Sequence, residues 1–150
     1  MPKSIPNILH EAKTIAVVGL SDKPERYSFI VAAYLQREGY RIYPVNPMIT
    51  ESLGEQSYPD LLSLPEKPDV VDVFRKPEFV PEIVEQAIRI GVRVVWMQEG
   101  VIHEEAAKKA RKAGITVVMN RCMMKEHRRY FLAHPRLQRL SVAIAGTARE

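Results

Sequence analysis

Small, polar and charged residues recur at five points of this sequence, each after an apolar run. Glycines, hydroxyls, amides and cations are the groups that hold phosphate, through backbone N–H donors, side-chain donors and positive charge. In chain order these residues are Gly19, Ser21, Lys23, Arg26 and Ser28; Asn46; Arg75 and Lys76; Gln98, Glu99 and Gly100; and Asn120, Arg121 and Cys122. If the apolar runs are neighbouring strands of one sheet, the five groups form a phosphate-binding site at its edge.

The first of these segments is related to known nucleotide-binding loops but matches none of them. The dinucleotide pattern G-x-G-x-x-G would need glycines where Ser21 and Pro24 stand, and the phosphate-loop pattern G-x-x-x-x-G-K-[ST] is absent. The loop is longer than a tight dinucleotide turn and contains Lys23 and Arg26, which suits a ligand with more phosphate than NAD. Alternatively, Gly19 only permits close packing and the charges belong to a solvated turn.

The second segment lacks a group that NAD domains use. An acidic residue after the second strand usually binds the ribose 2′-hydroxyl, but Asn46 and two prolines occupy this region. A carboxylate would repel an additional ribose phosphate, whereas an amide tolerates it. The sequence therefore disfavours NAD and favours a ligand with a phosphorylated ribose.

The elements that must position these residues follow from the apolar runs and their punctuation. Apolar runs predict strands at about 14–19, 41–46, 69–74, 92–97 and 115–119. Helical periodicity, with glycine or proline at the ends, predicts helices at about 4–12, 28–38, 79–90 and 103–113, and one from Met123 to before Pro135. Residues 48–65 are looser, with a short helix at Leu61-Leu62.

Strands that alternate with helices at short intervals predict an α/β fold. We expect a single Rossmann-type domain with a five-stranded parallel sheet, order 3-2-1-4-5, and helices on both faces. Such sheets bind ligands beyond the carboxyl ends of their strands, where the strand order reverses. All five polar segments would lie at that edge.

Composition and charge narrow the class of protein. The 150 residues suit one domain, which we place at 1–135, followed by a basic tail at 136–150. Residues 1–120 carry 15 Lys/Arg against 16 Asp/Glu, and residues 121–150 carry 7 against 2. Basic charge confined to the tail disfavours a nucleic-acid partner, and the partly apolar tail is compatible with a homodimer. With no membrane span, no signal peptide and one cysteine, we expect a cytoplasmic protein without disulfides.

Taken together, six segments resemble those of the small stand-alone CoA-binding proteins. That family is similar to the CoA-binding domain of the succinyl-CoA synthetase alpha subunit. The resemblance covers about residues 10–132, and its segments are Gly19-Leu-Ser21, Pro24-Glu-Arg26-Tyr-Ser28, Pro44-Val-Asn-Pro47, Val71-Asp-Val-Phe-Arg75, Val95-Trp-Met-Gln-Glu-Gly100 and Arg121-Cys-Met-Met-Lys-Glu-His127.

This resemblance implies that coenzyme A, free or acylated, binds at the switch point of the sheet. The residues it implies around the ligand are Gly19, Leu20, Ser21, Lys23, Arg26 and Ser28 on the phosphate side, Val45, Asn46 and Pro47 beside the nucleotide, Arg75 and Lys76 across it, and Gln98, Glu99 and Gly100 on the other side. The synthetases place their phosphorylated histidine in a separate domain that has no counterpart here, so their ligase activity is not implied.

Catalytic groups are harder to identify. Cys122 is either a reactive thiol, able to form a mixed disulfide with CoA, or a small buried residue. Glu126 and His127 could act as an acid/base pair, but neighbours on a helix point apart and a surface ion pair is the simpler interpretation. The histidines have no partners at metal-ligand spacing. We therefore predict a binding module, and keep as alternatives a small CoA-dependent enzyme using Cys122 or Glu126 and a redox sensor that binds NAD(H).

Overall fold

A computed structural model describes residues 2–133 of the chain. The predicted basic tail, 136–150, lies outside these residues. Within the described part, no helix is both long enough and apolar enough to cross a bilayer. The domain contains strands β1 (Thr14–Val18), β2 (Arg41–Val45), β3 (Glu51–Ser52), β4 (Glu55–Gln56), β5 (Val70–Val73), β6 (Val94–Met97) and β7 (Thr116–Val118), and helices α1 (Ile5–Glu11), α2 (Tyr27–Arg37), α3 (Val80–Ile90), α4 (Glu104–Lys112) and α5 (Met123–Ala133).

Five parallel strands form the main sheet, in the order β2-β1-β5-β6-β7. Side chains alternate between its two faces, and each face has its own core. Apolar residues of α3 and α4 cover one face, and those of α1, α2 and α5 cover the other. The predicted α/β class, the five-stranded parallel sheet and the helices on both faces are confirmed.

The predicted strand order, 3-2-1-4-5, is wrong. The third long strand, β5, pairs with β1 rather than β2, which leaves β2 at the edge of the sheet. Pro44 supplies the physical reason. Its carbonyl accepts from the backbone N–H of Tyr58, on the side of β2 away from β1. The missing N–H of Pro44 faces the same way, so a full strand could not pair there without losing a hydrogen bond.

The connection from β2 to β5 explains how the chain crosses the sheet. It contains the small antiparallel hairpin β3–β4, which the sequence did not predict, and a 3-10 turn at Leu61–Ser63 where a short helix was expected. Leu61 packs into the core of α3 and α4, whereas α2, which links β1 to β2, packs on the opposite face. The two crossovers run in opposite directions along the sheet, so right-handed connections must use opposite faces.

Candidate functional site

Backbone hydrogen bonds join the carboxyl ends of all five strands. Gly19 N–H donates to Val45 O at 2.8 Å, and Phe74 N–H donates to Val18 O at 2.8 Å. The same pattern continues towards β7, from Gln98 N–H to Val73 O at 3.2 Å and from Arg121 N–H to Met97 O at 3.3 Å. The five predicted polar segments therefore begin along one edge of the sheet.

Gly19 is closely packed at this edge. Its φ is +89°, and a Cβ at this position would lie 2.4 Å from Phe74 O and 3.0 Å from Cδ of Arg75. No side chain fits against a backbone oxygen at that distance, and a positive φ is itself strained for any residue except glycine. The glycine therefore lets the loop after β1 cross directly over the end of β5.

Side chains hold the loop after β1 in place. Ser28 Oγ accepts from Ser21 N–H at 3.0 Å, and Ser21 Oγ accepts from Lys23 N–H at 3.0 Å. Asn46 Nδ2 donates to Leu20 O at 3.0 Å, while Ser52 Oγ donates to Ser21 O at 2.8 Å. The hairpin β3–β4 thus supports the loop, a role that the sequence did not suggest.

The first turn of α2 faces the loop without a side-chain cap. Arg26 occupies the cap position, and no side chain accepts a hydrogen bond there. The N-terminus of a helix carries partial positive charge and presents backbone N–H donors to an anion. The exposed cations Lys23 and Arg26 add full charges beside it.

The loop after β5 contributes two more cations. Arg75 is partly buried, with its side chain close to Gly19 and its guanidinium 4.2 Å from the ring centre of Phe79. This stacking fixes the arginine against the turn. Lys76 is exposed and precedes the 3-10 turn Pro77–Phe79.

The loops after β6 and β7 are tied together. Asn120 has a φ of +61°, and its Oδ1 accepts from Gly100 N–H at 2.8 Å. Lys125 Nζ lies 2.8 Å from Glu99 Oε1, and this carboxylate raises the pKa of the lysine. Gln98 is buried, and its Oε1 accepts from Met123 N–H at 3.1 Å.

Only two described residues, Asp72 and Gln98, have buried side-chain polar atoms without a hydrogen-bond partner. The unpartnered atoms are the two carboxyl oxygens of Asp72 and Nε2 of Gln98. Asp72 alternates with Val71 and Val73, so it faces the α2 and α5 side of the sheet. Complete burial raises its pKa well above the ordinary value.

A contact between distant segments closes the same side of the site. Tyr27 Oη, at the start of α2, lies 2.9 Å from Cys122 Sγ, just before α5. Burial is the largest cause of the raised pKa of Tyr27, and the hydrogen bond to Cys122 adds to it. The two residues are 95 positions apart in the chain, which explains why no sequence pattern pointed to the pair.

The residues that the resemblance implies around the ligand differ in how exposed they are. Leu20 and Val45 are core residues, with 0% and 3% of their surface exposed. The Ser28 side chain is also buried and already used by the loop. Lys23, Arg26, Pro47, Lys76, Glu99 and Gly100 are exposed, and Ser21, Asn46 and Arg75 are partly so. Among the described residues, no three His, Cys, Asp or Glu side chains are grouped to hold a metal.

The two other catalytic candidates have structural partners. Glu126 pairs with Arg121 and Arg129, at 3.3 and 3.5 Å. His127 is 1% exposed, its Nδ1 lies 2.8 Å from Tyr34 Oη, and burial lowers its pKa to about 4. Glu126 thus forms the ion pairs that the simpler interpretation expected, whereas His127 is buried rather than at the surface.

Residues 13–128 match the family described as the CoA binding domain. The chain belongs to this family. It is 41% identical over 123 residues to the uncharacterized protein YneT of Bacillus subtilis, which covers 82% of this chain and 91% of YneT. A solved structure of a hypothetical protein from Pyrococcus horikoshii OT3 is 52% identical, with a TM-score of 0.81, over 83% of this chain and 88% of that one.

This CoA-binding domain is also similar to part of a much larger enzyme. It is 28% identical over 111 residues to the ADP-forming acetate–CoA ligase II of Archaeoglobus fulgidus, and the match covers 71% of this chain but 16% of the ligase. The predicted resemblance, to the small stand-alone CoA-binding proteins and to the CoA-binding domain of succinyl-CoA synthetase-like enzymes, is confirmed.

Proposed function

We propose that this domain binds coenzyme A or an acyl-CoA across the carboxyl edge of its sheet. The observation that carries the proposal is the loop after β1. It combines a glycine turn fixed against Phe74 O, an uncapped helix N-terminus and two exposed cations, Lys23 and Arg26. Such an arrangement holds several phosphates at once.

The residues at the end of β2 favour the interpretation that the ligand carries a phosphorylated ribose. Both ends of the Asn46 amide are used, since Nδ2 donates to Leu20 O and Oδ1 accepts from Met48 N–H at 2.9 Å. An amide in this structural role places no negative charge beside the nucleotide. This favours CoA, which carries a 3′-phosphate, over NAD(H), whose usual acidic partner is absent.

The proposed binding residues divide along the length of the ligand. Gly19, Leu20, Ser21, Lys23, Arg26 and Ser28 form the phosphate loop; Val45, Asn46 and Pro47 border the nucleotide; Arg75 and Lys76 lie across from it; and Gln98, Glu99 and Gly100 border the far end. The ion pairs of Glu126 and the burial of His127 favour a binding role over proton-transfer chemistry.

Calorimetric titration tests the ligand class. We expect CoA or acetyl-CoA to bind saturably at moderate salt, while NAD and NADH give no heat beyond dilution. Binding of NADH alone would replace the proposal with the redox-sensor alternative. Absence of binding by all four compounds would remove it.

The substitution Arg26→Ala tests the phosphate loop. If Arg26 holds the 3′-phosphate, the affinity for CoA should fall about tenfold to a hundredfold, the value of one charged hydrogen bond, while dephospho-CoA is little affected. If it holds the pyrophosphate, both ligands should weaken alike. Arg37→Ala, at the opposite end of α2, is the matched control and should leave both affinities unchanged. Unchanged affinities in Arg26→Ala would exclude this residue from the site.

A further inference from the structure

Cys122 lies at a helix N-terminus, beside a tyrosine hydroxyl. It is the only cysteine of the chain, and its carbonyl accepts from Glu126 N–H at 2.9 Å, which places it at the N-terminal cap of α5. Tyr27 Oη lies 2.9 Å from the sulfur, so the start of α2 and the start of α5 meet at this thiol.

Unpartnered polar groups beside this thiol indicate that a ligand completes the region. Gln98 is 1% exposed and is anchored through Oε1 to Met123 N–H, next to Cys122, which leaves Nε2 without a partner. The two oxygens of Asp72, on the same face of the sheet, are also unpartnered. Buried polar groups are normally hydrogen-bonded, and the amide-rich arm of CoA carries donors and acceptors able to pair with them.

Tyr27 covers the thiol in a way that a ligand can reverse. Cys122 is 2% exposed, whereas Tyr27 is 42% exposed and is the first residue of α2. Its ring meets only the edge of Phe74, with 6.4 Å between centroids, among the described aromatic contacts. Its hydroxyl contacts the sulfur, so a different rotamer of this exposed side chain would break that contact without moving the helix. Tyr27 follows Arg26 directly, so it lies between the phosphate loop and the thiol.

We propose that Cys122 forms a reversible mixed disulfide with the thiol end of CoA. The inference rests on the proposed function. The oxidant is CoA disulfide: the Cys122 thiolate attacks one of its sulfurs, the Cys122–S–S–CoA bond forms, and the old disulfide breaks. The second CoA leaves as its thiolate, so electrons and atoms balance. The nucleotide part of the ligand, bound in the phosphate loop, directs the exchange to this sulfur.

Intact-mass measurement of the reduced native protein tests the exchange. We expect one adduct, equal to CoA less two hydrogens, that dithiothreitol removes. Because binding holds the reacting sulfurs together, CoA disulfide should react at least about tenfold faster than glutathione disulfide. Desulfo-CoA, which fills the site without a thiol, should slow the reaction with CoA disulfide. Equal rates for the two disulfides, or no effect of desulfo-CoA, would overturn the proposal.

Two variants and a separate binding measurement distinguish failure of the disulfide proposal from failure of the CoA-binding proposal. Cys122→Ser should form no adduct and still bind CoA by calorimetry. Tyr27→Ala should react faster with glutathione disulfide, since the sulfur is uncovered; an unchanged rate would contradict the covering role. Calorimetric CoA binding without an adduct would refute the disulfide alone, whereas absence of both would refute the proposed function as well.

Discussion

Replacement of Gly19 by alanine should both destabilise the domain and strongly weaken its binding of CoA. The new Cβ would lie 2.4 Å from Phe74 O, so either the loop or the end of β5 must move. Both are fixed by backbone hydrogen bonds, from Gly19 to Val45 and from Phe74 to Val18. We expect the free energy of unfolding to fall by roughly 2–4 kcal/mol and the CoA affinity to fall at least about thirtyfold, equivalent to about 2 kcal/mol.

Gly114→Ala is the matched control for this substitution. Gly114 has nearly the same φ, +88°, but a Cβ there would meet no atom within 4 Å. It should show only the strain of a left-handed alanine, about 1 kcal/mol, with unchanged CoA binding. Chemical denaturation and calorimetry measure the two effects separately. If both alanine variants lose the same stability, contact with Phe74 O has no role.

Replacement of Asp72 by valine should stabilise the domain, and increasingly so as the pH rises. The buried carboxyl has no partner, and its pKa is raised well above 3.8. A valine of similar volume suits a buried strand between Val17 and Trp96. Near neutral pH we expect a gain of at least about 2 kcal/mol in the free energy of unfolding.

The direction of the pH dependence follows from the protons bound in each state. Above the ordinary carboxyl pKa, the folded protein keeps the Asp72 proton and the unfolded chain releases it. The stabilisation that this bound proton provides, relative to a charged carboxylate, is thus fully present below about pH 3.8. It is lost as the pH rises towards the folded pKa. The advantage of valine should therefore grow by up to about 1.4 kcal/mol per pH unit over this interval.

His127 makes the free energy of unfolding depend on pH in the opposite direction, and this dependence remains in Asp72→Val. Its pKa is lowered from 6.5 to about 4 in the folded protein, so its contribution to stability is present above pH 6.5 and is lost as the pH falls towards 4. In the wild type, retention of the Asp72 proton offsets this loss. Urea titrations from pH 4.5 to 8 should show a steeper acid-side loss in Asp72→Val than in the wild type. Parallel curves at all pH values would show that Asp72 titrates normally.

The sequence predicted most of the elements because apolar runs ended by glycine or proline are local signals. The five strands and the helices lie within a few residues of their expected positions. Neighbouring strands are not a local property, and a valine-rich run at 69–74 fits either side of β1. One residue did contain the missing information. Pro44, in the middle of β2, indicates an edge strand, which excludes the predicted order.

The location of the candidate site was predictable from the sequence, but the contacts between its side chains were not. Parallel strands bring their following loops to one edge whatever their order, so the five polar segments were placed correctly despite the wrong order. Asp72 was visible as a break in an apolar strand, but the absence of a partner is a property of the packed interior. Pairing of Tyr27 with Cys122 depends on how α2 and α5 lie across the sheet, and no spacing in the sequence encodes it.

The position of Pro44 also bears on aggregation. Exposed strand edges recruit strands from other molecules, but the outer edge of β2 carries a proline and is bridged at Val45 by Tyr58. The backbone groups of Pro44 and Asn46 that face outward already bond to Tyr58. The opposite edge, β7, is only three residues long. The main sheet therefore offers little template for strand addition at either side, and the segment that protects β2 belongs to the connection that also supports the loop after β1.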